Sequence, residues 1–556
     1  LIDGRAIYTP FYSGVMWEVR DVLLEDVERI EVIRGPGGTL WGANAVNGII
    51  NIVTSPAQDT AGGFLRVGGG VEESGLLDAR YGWAAAENTD VRVMARTFAH
   101  DAFIDSIGGE GVDDWHMART GFRLDHHLTR GELSLHGDIY QGQRGQFYRF
   151  ATLSPPYIEP VQDDTELTGG YLQGSWTHTL DAGSQLRLQL YYDRTSWADT
   201  LIGEARDTWD ADFQHRFDWG QQQVLVWGVG LRLSADEIES TPNFALDPSS
   251  RTSPLYSAFM QDQIDVGTNW RVFVGSKLEH NDYTGIEVQP SARLLWTPSD
   301  RHAAWAAVSR AVRTPSRAED DARLLNRTLP PDDILPDTPA ALVYNVGDRS
   351  VESEKLVALE LGYRMQPRDG LALDMATYYN RYRKLRIGRL RVPVYMEEPV
   401  PHLVIELPSD NLMRGTTYGA ELSIDWRNPA AAWRLRGSYS WLQMDLATRG
   451  DANPVATFEE GASPEHQLLL WPSLDLPHAL RLDATLRFVD RLPFYDIDAY
   501  TELDVRLAWA PTKALEVAIV GQSLLAADHE EFGDIFVNTV TTRVQRGVHA
   551  TAAWRF

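Results

Sequence analysis

The chain has no cysteine. That excludes a disulfide scaffold and thiolate metal sites, and it suits a chain that crosses an oxidising compartment. It has no run of about 18 apolar residues, the length a membrane-crossing helix needs, and its mean hydropathy is negative. Cations are also in short supply: 51 Lys and Arg stand against 78 Asp and Glu, for a formal net charge of −27. A surface this acidic argues against nucleic acid as a partner. HExxH and GxSxG are both missing, so neither a zinc protease nor a hydrolase elbow is legible. The 14 histidines are scattered. The adjacent pair His126 and His127 would point to opposite faces of a strand and could not share one ion. No metal centre and no catalytic group is expected.

What the chain does have is aromatics, 18 Trp, 21 Tyr and 18 Phe in 556 residues, and a repeating texture. From residue 61 onward, short alternating segments are separated by connections of two lengths. Ten are tight turns, such as Glu87-Asn88-Thr89, Asp181-Ala182-Gly183, Pro367-Arg368-Asp369-Gly370 and Asn428-Pro429. Eleven are longer polar loops, the longest being 143–166, 313–352 and 386–412. This predicts about 22 antiparallel strands with turns at one end and loops at the other, the habit of a transmembrane β-barrel, which needs only alternate residues to be apolar. In Thr501 to Trp509, for example, Leu503, Val505, Leu507 and Trp509 share one face and Glu502, Asp504 and Arg506 the other. Charges on the inner face imply a wet lumen, and one ringed by that many strands is wide enough to need a plug. The domains expected are residues 1–60 as an α+β plug part and 61–556 as the barrel.

Residues 29–54 carry the most specific signal, RIEVIRGPGGTLWGANAVNGIINIVT. Pro36 fixes φ, and glycines 35, 37 and 38 permit positive φ, so a tight turn follows the first strand. Ile49, Ile50, Ile52 and Val53 then read as a β-branched strand rich enough to be buried on both faces. Upstream, Asp3-Gly4 reads as a turn, residues 6–17 as a loop with Pro10 and Gly14 as breakers, and 21–30 as a short helix with Asp21 at its N-cap.

The stretch Val27 to Pro36, together with Gly42, Ala45, Gly48 and Ile49 to Thr54, resembles the end of the plug domain of TonB-dependent outer-membrane receptors. The plug motif residues are Arg29, Glu31, Arg34, Gly35, Pro36, Gly42, Asn47, Gly48 and Asn51. The barrel resembles the family too, at Ser309 to Ser316, Glu360 to Arg364, Tyr378 to Tyr382 and Thr417 to Leu422. The alternating C-terminal strand ends Trp554-Arg555-Phe556 and resembles the signal that the barrel-assembly machinery reads.

The resemblance implies active transport of a scarce ligand across the outer membrane of a Gram-negative bacterium, with a ferric siderophore as the default cargo. Cobalamin, haem or oligosaccharide are the alternatives within the family; a passive porin-like or adhesin barrel is the alternative outside it. It implies TonB as a partner through an N-terminal box that this chain lacks, a fragment reading in which the signal peptide and the first half of the plug are also missing. It implies contact with outer-membrane lipid and lipopolysaccharide, a monomer, and no covalently bound cofactor. Arg34 is expected to lock the plug to the wall glutamates Glu360 and Glu421. Tyr8, Phe11, Tyr12 and Trp17 are expected to rise toward the ligand, or else to pack the plug on the wall. Arg149, Arg317 and Arg323 are the cations offered to an anionic, partly aromatic chelate. The acids Glu319, Asp320 and Asp321, and Asp332 and Asp333, read as a solvated charge run that could hold Ca²⁺.

Overall fold

The computed structural model describes all residues except 107, 182, 429–431, 451–453 and 534–536, and leaves aside the side chains of 454–456. The turn residues expected at Ala182 and Pro429 lie outside the described residues. Among the described residues, no helix is long and apolar enough to cross a membrane.

Twenty-two antiparallel strands close into a barrel. The first, Gly62–Gly70, pairs with the last, Gly547–Arg555, placing Trp554 opposite Leu65 and completing the ring. The alternation sets the two faces. Leu507 and Trp509 are exposed on the outer surface while Glu502 is buried inside. Large apolar residues on the outside stay bare of protein, Ile286 at 70% exposure and Ile139 at 66%, as lipid-facing positions must. Around the turn end the outer face carries paired aromatics: Trp270 on Trp296 at 5.7 Å, Trp426 on Trp433 at 4.9 Å, and Trp554 on Phe556 at 4.6 Å. Phe556 also exchanges backbone hydrogen bonds with Gly63, which ties the chain end to the first strand.

Two of the expected loops are largely strand. Gly131–Ala151 and Ile158–Asp181 stay paired as far as Ala151 opposite Ile158, which leaves only residues 152–157 as a turn. His402–Arg427 likewise begins deep inside the range expected to be loop. Beyond the membrane both faces of a strand meet polar surroundings, so hydropathy alternation no longer marks it. The range 313–352 holds a helix, Arg317–Asp321, and two strands, Ala322–Leu329 and Ala341–Val346. With Phe244–Leu246 and Val394–Met396 they build a second sheet over the loop end of the barrel. Ala341–Val346 runs parallel to residues 403–408 there.

Residues 1–60 sit inside the barrel. Asp3 and Gly4 form the expected turn, with φ of +50° and +82°. The helix expected over 21–30 is reduced to one 3₁₀ turn, Leu24–Asp26, and Asp21 does not cap it. Asp21 instead pairs with Arg96 of the wall at 2.6 Å, and a wall cation outcompetes a local cap. Val27–Arg34 and Gly48–Thr54 pair as a two-stranded hairpin. Its second strand is not buried on both faces: Ile49 and Asn51 face the protein, while Ile50 is exposed along with Ile30 and Val32 of the partner strand. A two-stranded sheet leaning on the wall can cover only one side.

Candidate functional site where plug meets barrel

The hairpin carries the motif residues. Gly35 has φ +72°, a left-handed conformation, and a Cβ there would collide with the Glu360 carboxylate. Gly42 has φ +88° and would meet the Glu279 carboxylate in the same way. Close backbone approach is therefore what these two glycines permit. The Ala43 amide donates to Glu279 at 2.5 Å, and Thr39 Oγ1 donates to the Gln289 carbonyl at 3.0 Å. The Asn44 amide reaches the Val312 carbonyl at 2.8 Å, and the Thr314 amide donates back to Asn44 Oδ1 at 3.0 Å. Tyr382 on the wall donates to Asn47 Oδ1 at 2.8 Å. Asn51, buried, donates to Glu31 at 2.9 Å, and Arg29 holds the other Glu31 oxygen at 2.7 Å on the exposed side. These hydrogen bonds keep the Glu31 carboxyl below its ordinary value of 4.5, the Asn51 bond contributing most. Pro36 lies half-buried in the turn, and Gly48 pairs with Arg34.

Arg34 Nη1 lies 2.6 Å from Glu421 Oε2, with the two side chains 46% and 31% exposed. Glu360 makes no ion pair with Arg34; its carboxylate stands against Gly35 instead. The pair to Glu421 faces the wet lumen, where an ion pair is worth roughly 0–1 kcal/mol.

Residues 1–26 meet the wall differently. Arg5 and Arg20 both pair with Asp193, Arg20 at 3.2 Å, and all three side chains are at most 9% exposed. Asp26 takes Arg80 at 2.6 Å and Arg92 at 3.2 Å, again with all three nearly buried. Glu25 takes Arg66 at 2.6 Å, and the Val19 carbonyl accepts from Arg119 at 2.7 Å. Burial pushes the Asp21 carboxyl up from 3.8, against the pull of Arg96. None of these partners has a local motif. Their one sequence signal is the density of charge between Glu18 and Glu31 in a segment destined for the inside.

At the apex, Tyr8–Thr9 and Gly14–Val15 form a small hairpin. Phe11 at its tip is buried in a cluster with Tyr148, Leu201, Ile202, Phe244 and Leu324. The helix Arg317–Asp321 sits over it. Ser316 and Glu319 form a reciprocal cap, and two free amides of the first turn point at the plug: Arg317 donates to the Pro10 carbonyl at 2.9 Å and Ala318 to the Phe11 carbonyl at 2.8 Å. Arg313 adds a bond to Ser13 at 3.0 Å while pairing with Glu319 and Glu354. The longest loop is thus bonded to the plug tip.

The profile of the TonB dependent receptor-like beta-barrel matches residues 63–522, and that of the TonB-dependent Receptor Plug Domain matches residues 1–49. The chain belongs to the TonB-dependent receptor family. The pesticin receptor of Yersinia enterocolitica is 22% identical over 586 residues, covering 94% of this chain and 80% of that protein. The FrpB iron transporter from Neisseria meningitidis, in its apoprotein form, shares the fold with a TM-score of 0.76 at 14% identity, covering all of this chain and 91% of that one. The siderophore receptor PirA from Acinetobacter baumannii has a TM-score of 0.76 at 13% identity, with coverage of 100% and 90%.

In a TonB-dependent receptor of the outer membrane, the short turns face the periplasm and the loops, with the second sheet and the plug apex, face outside. In this receptor the ligand-contact candidates divide. Tyr12 and Trp17 are exposed, at 44% and 62%, and Tyr8 is half-buried. Phe11 faces the buried cluster, the packing role that was its alternative. Arg317 is 1% exposed and tied to Asp236, Asp321 and the Pro248 carbonyl, so it has no free face for a ligand. Arg149 is half-buried in a paired strand, its amide bonded to the Asn538 carbonyl at 2.8 Å. Arg323 stays half-exposed and lies 3.5 Å over the Tyr344 ring. Glu319, Asp320 and Asp321 are not a solvated run. They are buried and taken by Arg313, Arg251, Arg317 and Arg349. Asp332 accepts the Asp337 amide at 2.7 Å in an exposed turn that also holds Asp333. His126 bonds Thr89 and His127 lies near Asp90. At the loop end, Glu502, His529 and Glu531 bring three ligand-type atoms within 4.8 Å of one another. Arg487 already stands among them, paired with Glu502 and 2.5 Å from Glu531.

Proposed function

We propose that this receptor imports an iron chelate, a ferric siderophore, across the outer membrane, driven by work delivered through TonB. The observation that carries the reading is the bond between the longest loop and the plug tip, where the amides of Arg317 and Ala318 hold the carbonyls of Pro10 and Phe11. A ligand that settles among the outer loops biases that contact, and with it the plug. Binding alone shifts populations and cannot accumulate cargo. The outer membrane has neither ATP nor an ion gradient of its own, so a partner must supply the work. Support for iron comes from the relatives named above, a siderophore receptor and an iron transporter. Arg323 stacked on Tyr344, with Tyr12 and Trp17 exposed at the apex, suits an anionic, partly aromatic chelate.

The test is uptake of radioactive iron, presented on a panel of siderophores, by cells expressing the receptor with and without TonB. Accumulation of one chelate that requires TonB is the expected result. Failure of every chelate moves the cargo to cobalamin, haem or an oligosaccharide. Leakage without TonB marks a passive pore.

A further inference from the structure

One buried histidine serves neither the plug contacts nor the transport reading. His529 lies in the loop before the last barrel strand, in a short strand, Asp528–His529, that pairs with Val544 and Gln545. Its side chain is 9% exposed, and its ring lies against Tyr500 with centroids 4.5 Å apart. Nε2 points at two carboxylates, Glu502 Oε1 at 2.8 Å and Glu531 Oε1 at 3.2 Å. Glu502 comes from the inner face of the wall strand Tyr500–Trp509, where it is buried. Glu531 follows His529 by two residues in the loop. Wall and loop thus each supply part of one cluster.

A salt-bridge network alone leaves this cluster short of positive charge. Arg487 offsets one of the two carboxylates. It bonds Glu502 through Oε2, on the side away from the ring, and lies 2.5 Å from Glu531 Oε1. Ser523 Oγ donates to Glu502 Oε1 at 3.1 Å, and the Tyr500 hydroxyl donates to Glu531 Oε1 at 3.3 Å. Asp504, next on the same face of the wall strand, accepts the Ser523 amide at 2.9 Å and forms no salt bridge among the described residues. Nε2 therefore offers a single proton to two carboxylates, while Nδ1 is buried with no hydrogen-bond partner among the described residues. The three ligand-type atoms lie within 4.8 Å of one another. The separations of 2.8 and 3.2 Å fall near the ~3.3 Å edge of a tetrahedron around zinc, whose bonds to His and Glu are about 2.0–2.2 Å. One imidazole with two carboxylates suits zinc better than calcium or magnesium, which take oxygen ligands.

We propose that Glu502, His529 and Glu531 bind a zinc ion that fastens this loop to the inner wall of the barrel. The ion takes the Nε2 lone pair of His529 and one oxygen of each glutamate, and the ring proton moves to Nδ1. The ion enters from the side of Glu531, whose side chain is 29% exposed. Arg487 and Ser523 keep the Glu502 carboxylate turned toward it, the task that outer partners of a metal ligand perform. Nδ1 has no such partner, so the site is about tenfold or more weaker than a zinc site with a complete outer set.

The experiment strips the purified, folded receptor with a chelator in detergent and titrates it by calorimetry with the chlorides of zinc, calcium and magnesium. The expected result is one zinc ion bound per chain, with calcium and magnesium failing to compete. Zinc should also slow trypsin cleavage after Arg543 and Arg546, in the same loop. His529→Ala should weaken zinc binding about a hundredfold and Glu531→Gln about tenfold, each in a receptor that remains heat-modifiable. His127→Ala, elsewhere on the barrel, should leave zinc binding as it is. Absence of zinc binding to the unaltered receptor overturns the proposal, even if the His529 variant does not fold. Calcium binding as tight as zinc overturns it too, as does undiminished zinc binding in the folded His529 variant. Zinc binding that leaves the cleavage rate unchanged overturns the fastening. None of these results depends on which chelate is transported.

Discussion

The two halves of the plug segment hold the barrel in opposite ways. Residues 1–26 hold none of the short motif, although the plug profile spans them, and they are clasped by buried ion pairs centred on Asp193 and Asp26. Residues 27–54 carry the short plug motif, yet they lean on the wall through hydrogen bonds, close glycine contacts and one half-exposed ion pair, Arg34 to Glu421. The signature thus describes a fit of backbone to wall. Attachment of residues 1–26 rests instead on charges that are costly to leave unpaired once water is excluded.

The largest effect is expected at Asp193. Replacing it with Ala strands Arg5 and Arg20 in a buried site, and the plug should be released in urea with a loss of about 4 kcal/mol. Pore conductance in planar bilayers during a urea titration reads the release, and an unchanged midpoint would show that the clasp carries no weight. Phe11→Ala opens the apex cluster and should cost about 3 kcal/mol. Here the readout is cleavage by protease after Arg317 and Arg323, which should rise as the helix over the apex loosens; protection equal to that of the unaltered receptor would separate the loop from the plug. Glu421→Ala should cost less than about 1 kcal/mol and lose its effect in high salt. A larger, salt-insensitive loss would put the lock in the hairpin after all. The smallest effect concerns pH. Glu31 is held below its unfolded value near 4.5 by Asn51 and then Arg29. Its contribution is therefore complete above that value and fades as pH falls through the lower folded one. Asn51→Ala should move that fading to higher pH in a carboxyl titration by NMR, and an unmoved Glu31 signal would remove the bond from the account.

Much of the fold is legible because a membrane imposes a simple rule. Alternate residues must be apolar where lipid touches, as at Leu503, Val505, Leu507 and Trp509, and turns must be short on one side. The rule stops at the membrane surface, which is why the pairing of Arg144 with Thr165 and of Phe147 with Gln162 reads as loop. The hairpin was legible from its glycines. The orientation of its second strand was not, since Ile49 and Ile50 are alike in sequence and differ only in whether the wall lies behind them. Arg317 was legible as a functional-looking cation in a long loop. That it is buried follows from Asp236 and Asp321, one of them 81 residues away along the chain, and no local pattern announces such a partner. Asp193 was invisible for the same reason.

The absence of cysteine permits a direct test of the central claim that residues 1–26 are held harder than the signature hairpin. Single cysteines are placed at Val19, 1% exposed, and at Ala45, 8% exposed, and thiol labelling of the folded receptor is followed through a urea titration. Ala45→Cys should become reactive at distinctly lower urea than Val19→Cys, and adding Asp193→Ala to each variant should bring the two together. Simultaneous exposure in the unaltered background, or earlier exposure at position 19, would contradict it.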